Sequence, residues 1–272
     1  MGRNDSSNPA EVYEHYLGPA IADPWTRVLL KYASPRRGES VLDLACGTGS
    51  VARQVAPMVG VAGRIVAIDI SAAMLAVARA LPAPAGAPIE WCEGDARRLE
   101  LPDGIIDLAL CQQGVQFFSD RAAAVAEMRR VLTDGGRAII SVWQALERHP
   151  VFEALFDATA RHLGVPISAV DLSFSLGDAE ELRALLGTTN FSKVEITPRS
   201  LEIHLPSPDR FVQLTVLGAA TSIPAFTRLD ETERFALVQA VAHEIASVVS
   251  QYGEGDELIF PMSTHIAVCA SD

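Results

Sequence analysis

Two glycines spaced one apart, Gly47 and Gly49, interrupt the apolar run VLDLACGTGSVARQVAP at residues 41–57. Gly47, Gly49 and Ala52 fit the pattern G-x-G-x-x-G/A, and Asp69 lies 20 residues beyond Gly49. Glycines let the chain turn sharply and bring bare backbone close to a ligand, and a carboxylate at the next strand end accepts both hydroxyls of a ribose. A nucleoside-like ligand follows. Asp43, four residues before Gly47, puts negative charge where a pyrophosphate would be repelled and a cation welcomed. Asp95 in EGDARRL offers a carboxylate to an exocyclic amine, with the amide of Ala96 near a ring nitrogen. Taken singly, an aspartate after a strand is as often a helix cap or turn former. Taken together, the three describe a site for an adenosine that carries positive charge.

The elements that must hold these residues alternate. Strand-like runs at 40–45, 64–70, 89–93, 105–111 and 137–143 are separated by helix-like segments at 50–58, 72–81 and 120–132, and 94–104 reads as loop. Crossovers of that length imply right-handed βαβ units, a mostly parallel sheet and a doubly wound α/β fold. Such sheets bind ligands beyond the C-terminal ends of their strands. TDGG at 133–136 reads as the stop of the preceding helix. Ahead of the core, Pro19 and Pro24 divide residues 11–33 into two short helices, and residues 1–10 read as a disordered tail. Beyond Trp143 the spacing predicts helices at 150–163 and 178–187, a strand at 191–205, helices at 208–218 and 230–250, and a last strand at 263–270. Residues 206–257 are too long for a hairpin loop and read as a helical insertion over the mouth of the sheet.

With these residues in view, the chain resembles the class I S-adenosylmethionine-dependent methyltransferases. LDLACGTG, VAIDIS with the following Met74, EGDARRLELPDGIIDLALC and EMRRVLTDGGRAIISVW resemble successive motifs of the small-molecule branch that includes the ubiquinone and menaquinone C-methyltransferases. The resemblance covers residues 37–143, the cofactor-binding core of a single domain at 11–272. It implies a Rossmann-like, seven-stranded, mostly parallel sheet and S-adenosyl-L-methionine as cofactor. By that resemblance Gly47, Thr48 and Gly49 line the methionine moiety and Asp69 holds the ribose. Ile70 and Met74 flank the adenine, Asp95 with Ala96 reads its edge, Gln112 faces the cofactor, and Asp43 acts through backbone amides and water near the amino group.

Methyl transfer from a sulfonium needs aim and desolvation more than acid or base groups. Acceptor-side candidates are Tyr13 and Tyr16 on the first helix, Gln113, Gln116 and Phe117 after the fourth strand, and Trp143 at the end of the fifth. His15 and His149 are possible bases; His204 and His265 have no acidic or cysteine companions at ligand spacing in the sequence, so no metal site is expected. Apolar residues of the insertion, such as Phe211, Leu214, Leu217 and Phe226, fit either core packing or an apolar acceptor pocket.

The bulk properties narrow the alternatives. The 272 residues are 49% hydrophobic, and 34 acidic against 22 basic residues give a formal charge of −12, which opposes nucleic acid and anionic lipid as partners. Four scattered cysteines, no signal-peptide pattern and no apolar run of membrane-spanning length point to a reduced, cytoplasmic protein with a small-molecule acceptor. The oligomeric state is open. A nicotinamide oxidoreductase would share the glycine turn and Asp69 without needing Asp43 or Asp95, and a non-catalytic cofactor-binding partner would keep the cofactor residues alone.

Overall fold

In the computed structural model, which describes residues 8–219, 226 and 228–271, helix α1 (Pro9–Val12) leads into a π-helical stretch, Tyr13–Ala22, and then α2 (Asp23–Ala33). The alternation follows as β1 (Ser40–Leu44), α3 (Ser50–Val59), β2 (Arg64–Asp69), α4 (Ala72–Ala80), β3 (Ile89–Glu93), β4 (Ile106–Gln112), α5 (Arg121–Val131) and β5 (Leu132–Trp143). The remainder comprises α6 (Pro150–Leu163), α7 (Ala179–Leu186), β6 (Lys193–Pro206), α8 (Phe211–Ala219), α9 (Glu231–Glu244), α10 (Ala246–Gln251), β7 (Gly253–Glu254) and β8 (Glu257–Ala270).

The strands lie in the order β3-β2-β1-β4-β5-β8-β6, with the two-residue β7 paired to β8. Strands β1 to β5 are parallel, and β8 runs antiparallel to β5. Seven strands therefore stand in line as expected, and β7 adds a short hairpin partner. The order reverses between β1 and β4, so the crevice that such a reversal opens lies where the glycine turn leaves β1.

Two compact units divide the chain: Asp23–Gln144 with Leu176–Arg199 and Thr264–Asp272, and Met1–Ala22 with Ala145–Ser175 and Ser200–Ser263. In the first, apolar residues cover both sheet faces. Leu29, Val51, Val55 and Leu75 from the helices meet Val41, Ile65, Leu108, Leu110 and Ile139 on one side. Leu42, Val66, Ile106, Ile140 and Val142 meet α5 and α7 residues such as Val125, Met128 and Leu182 on the other. Burial of both faces is why these strands read as nearly continuous apolar runs. The second unit centres on rings: Phe152 stacks with Phe156 at 6.2 Å between centroids and meets Phe211 and Phe260 edge-on at 5.8 and 5.7 Å. Phe211, Leu214 and Phe226, from the segment read as an insertion, are buried core residues of this second unit, which also draws on α6.

Several boundaries differ from expectation. Residues 1–7 of the expected tail lie outside the described residues, but Asn8 caps α1 by accepting the Ala10 N–H at 3.1 Å, and Ala10 is fully buried. Pro19 does not end its helix; it sits inside the π-helical stretch, and Pro24 is the second residue of α2, which continues directly from that stretch, so neither proline interrupts the helical run. TDGG does not separate helix from strand. Leu132 already pairs with Ile106 and Arg137 with Leu108, so these residues form a bulge inside β5, with Gly135 at φ +74°. The expected helix at 230–250 is broken at Ile245 into α9 and α10.

Candidate functional site

At the end of β1 the chain turns over residues 45–49, with Ala45 at φ +58°, Gly47 at +55° and Gly49 at +92°. Asp69, the last residue of β2, reaches across to this turn. Its Oδ2 accepts the Gly47 N–H at 2.7 Å and its Oδ1 accepts the Ser71 N–H at 2.8 Å. A carboxylate has about four lone-pair sites, so acceptor capacity remains for hydroxyls. Burial raises the Asp69 pKa, although its backbone hydrogen bonds oppose this.

The two glycines play different parts. A Cβ built on Gly47 would meet nothing within 4 Å, so open space stands before its backbone. A Cβ on Gly49 would lie 2.3 Å from Cη2 of Trp91, so Gly49 makes room for an indole of β3. The sequence reading gave both glycines to the ligand; only Gly47 has the open face. Arg53 lies over the same indole at 5.3 Å from its centroid.

Asp43 is 1% exposed, and its Oδ2 accepts the N–H of Ala52 at 2.9 Å. It caps the first turn of α3 from inside the sheet instead of presenting charge to a ligand. Burial, with the charge of Asp69 adding to it, pushes its pKa up to about 7 against the opposing Ala52 hydrogen bond. Cys46, inside the turn, is buried, and that burial together with Asp43 and Asp69 pushes its thiol far up, which makes it a poor nucleophile.

Asp95 is not an open acceptor. The Arg97 guanidinium holds both oxygens, with Nε at 3.0 and 2.9 Å and Nη2 at 2.6 Å, and the Arg97 N–H adds a bond of 2.9 Å. These bonds lower the Asp95 pKa. Ala96 and Thr48 are buried, Met74 is half-buried, and Ile70 is 71% exposed.

Around the end of β4 the candidate acceptor residues are knitted together. Gln112 pairs in register with Ser141 of β5. Gln113, at φ +53°, donates from Nε2 to Oγ1 of Thr264 at 3.0 Å and accepts from Nε2 of Gln116 at 3.3 Å. Thr264 Oγ1 in turn donates to the Val142 carbonyl at 2.6 Å. Gln116 is buried, Phe117 is 39% exposed, and Trp143 packs edge-on against Trp25 at 5.7 Å. Trp143 is therefore a core residue of the rim.

Tyr13 and Tyr16 belong to the other unit, where Tyr16 is buried and desolvation raises its phenol pKa. His149 is a structural residue there: Nδ1 lies 3.1 Å from the Ala145 carbonyl, and Nε2 lies 2.9 and 3.0 Å from the O and N of Ser263. With both ring nitrogens held inside the core, it is no general base. His15 is exposed, with Nδ1 2.7 Å from the Glu11 carbonyl. His204 has acidic companions after all, Glu257 at 2.9 Å and Glu202 at 3.5 Å, which raise its pKa as surface ion pairs. His265 Nε2 lies 3.1 Å from the Gly177 carbonyl. Among the described residues, no group of three or more His, Cys, Asp or Glu is placed to hold a metal ion.

The sequence reading missed Trp91 as the partner of Gly49, the Arg97 clamp, and the pairing of Trp25 with Trp143. Only the Arg97 clamp left a local signal, the DAR at 95–97.

Residues 41–136 match the methyltransferase domain family. The 2-phytyl-1,4-naphthoquinone methyltransferase of Synechococcus elongatus is 36% identical over 118 residues, covering 43% of this chain and 51% of the relative. The chain therefore spans about half the length of that relative. The ubiquinone/menaquinone biosynthesis C-methyltransferase of Hahella chejuensis is 31% identical over 181 residues, 65% of this chain and 70% of the relative. In fold, the chain is similar to phosphoethanolamine N-methyltransferase 2 of Haemonchus contortus, solved with S-adenosyl-L-methionine, at a TM-score of 0.59 and 18% identity over 98% of this chain and 58% of the other.

Proposed function

Because the chain belongs to the class I S-adenosylmethionine-dependent methyltransferases, we propose that it binds S-adenosyl-L-methionine at the glycine turn and transfers its methyl group to a small, apolar organic acceptor. The observation that carries this reading is the Asp69 carboxylate bound to the Gly47 amide, beside a backbone with open space before it. That arrangement fits the cofactor: Asp69 has acceptor capacity for ribose hydroxyls, and the bare face of Gly47 admits close approach.

When bound, the cofactor supplies a methyl group on a sulfonium whose departure leaves a neutral thioether, so chemistry demands little from side chains. The chain's own residues then act by positioning. Asp43 fixes the glycine turn through Ala52, and the Gln116–Gln113–Thr264 chain of hydrogen bonds fixes the exit of β4. Orientation of the two reactants by such a frame is where on the order of 7–11 kcal/mol of barrier lowering is available. Asp95 reads the adenine edge only by sharing its carboxylate with Arg97.

An apolar acceptor is supported by the quinone methyltransferases among the relatives. A cytoplasmic setting is supported by four free cysteines, and the charge of −12 argues against nucleic acid as partner. No helix among the described residues is long and apolar enough to cross a membrane. The experiment is a methyl-transfer screen of apolar phenols, quinols and related acceptors, read by mass shift. A gain of one methyl group that depends on both protein and S-adenosylmethionine supports the proposal. Binding of the cofactor without transfer to any acceptor would favour a non-catalytic cofactor-binding protein.

A further inference from the structure

Gly114, the residue that follows Gln113 at the exit of β4, is buried against the turn that leaves β1. A Cβ built on it would stand 2.7 Å from the Cβ of Ala45 and 2.8 Å from Sγ of Cys111. Non-bonded heavy atoms settle at about 3.5–4.0 Å, so a methyl group at this position would force the two segments apart. The Ala45 methyl has no rotamer to change, and Cys111 is fully buried with its thiol against the backbone amides of Gly114 and Val115. The Gly114 backbone itself, at φ −106° and ψ −43°, is right-handed and places no special demand on residue type. The position requires glycine for contact, not for conformation.

Both sides of this contact carry the same strain. Among the described residues four non-glycines have positive φ, and two of them are Ala45 at +58° and Gln113 at +53°. Left-handed backbone in such residues persists only where the surroundings enforce it, and it gathers at working sites. Two residues beyond Ala45 stands Gly47, with its open face and its bond to Asp69. On the other side Gln113 is held by its N–H on the Ser141 carbonyl at 2.9 Å and by its side chain between Thr264 and Gln116. The cofactor turn and the exit read as the acceptor side therefore share one backbone contact within a single compact unit.

We propose that Gly114 is a positioning residue: by resting on Ala45 it lets occupation of the glycine turn set the place of Gln113, and so couples cofactor binding to the acceptor-side exit of β4. The coupling is steric. A ligand held against Gly47 fixes Ala45 two residues away, and the absent side chain at 114 leaves the β4 exit in direct contact with Ala45. The ordered placement of residues 113–117 is the state that an occupied turn favours, and linkage makes the effect reciprocal. Forcing the contact apart therefore weakens the ligand as well. This inference rests on the reading that S-adenosylmethionine binds at the glycine turn.

The test uses the full chain with S-adenosylhomocysteine as the probe, read by calorimetry and by amide hydrogen exchange. In the unmodified protein, saturating ligand is expected to slow exchange over residues 113–117 about fivefold or more. Gly114→Ala is expected to weaken the ligand about tenfold and to abolish that slowing even when the ligand saturates. Two double variants locate the effect. Gly114→Ala with Ala45→Gly moves the methyl group from one side of the contact to the other and should return affinity to within about threefold of the unmodified protein. Gly114→Ala with Cys111→Ala leaves the clash with the turn in place and should not. If Gly114→Ala alone fails to fold, the two double variants carry the comparison between them. Lower urea midpoints with unchanged affinity, equal affinity in the two double variants, or no slowing over 113–117 in the unmodified protein overturns the coupling while leaving the glycine-turn reading intact. If the unmodified protein does not bind S-adenosylhomocysteine, the glycine-turn reading itself fails and the coupling with it.

Discussion

The indole of Trp91 occupies the space beside Gly49 that a side chain at that position would need: its Cη2 would stand 2.3 Å, and its Cζ3 2.8 Å, from a Cβ there. Trp91 sits on β3 and Gly49 at the start of α3, so their contact sets how closely that helix lies on the sheet. Gly49→Ala meets both this clash and an unfavourable φ of +92°. We expect it to lower stability by about 1–3 kcal/mol or more, read as a drop in the urea midpoint. Gly49→Ala combined with Trp91→Leu should recover part of the loss. At Gly47, with open space and φ +55°, alanine should cost only about 1–2 kcal/mol of stability and act mainly on ligand affinity.

Asp43 predicts an unusual pH dependence. Its folded pKa, about 7, is raised above its ordinary value because burial disfavours the charge. The stability tied to its protonated form is therefore fully present below about pH 4 and is lost as pH rises through 7. Asp43→Asn retains an oxygen for the Ala52 N–H and removes the titration. Relative to the unmodified protein, this variant should gain on the order of 1.4 kcal/mol per pH unit between pH 4 and 7, then level off. Urea midpoints across that range check it, and a constant difference would contradict the burial argument.

His149 predicts the opposite slope. Desolvation lowers its pKa, so the stability it contributes is present above about pH 6.5 and is lost as pH falls below that value. His149→Gln should cost about 1–3 kcal/mol at pH 8 through its lost backbone bonds, and the difference should shrink toward pH 5. The pH dependence of methyl transfer should be unchanged in this variant wherever it remains folded. Loss of one ionisation from the pH–rate profile would make His149 a base after all.

The legible part of the fold was the part whose physics is local. Buried parallel strands such as β4 carry an unbroken apolar run, Leu108–Cys111, and the glycines and Asp69 of the turn have a fixed spacing that the backbone itself requires. Long-range pairings left no such mark. Asp43 and Ala52 are joined across a strand, a turn and a helix start, so a cap looked like a ligand contact. Trp91 comes 42 residues after Gly49, and nothing in the spacing links them. TDGG has the composition of a helix stop, but the pairing of Leu132 with Ile106 makes it a bulge. The aromatic unit around Phe152 was harder still, because it gathers three separated segments joined by long-range ring packing and by bonds such as His149 to Ser263.

The central claim is that the turn joined by Gly47 and Asp69 binds S-adenosylmethionine, and the most direct measurement is calorimetric titration of the purified chain with S-adenosylhomocysteine and, separately, with NAD. Asp69→Ala should be run beside it, with circular dichroism to confirm folding. The account predicts micromolar-range binding of S-adenosylhomocysteine, weakened about 10- to 150-fold by Asp69→Ala for a hydrogen bond to a charged acceptor worth about 1.5–3 kcal/mol, and no comparable affinity for NAD. Tighter binding of NAD, or full affinity for S-adenosylhomocysteine in a folded Asp69→Ala variant, would contradict it.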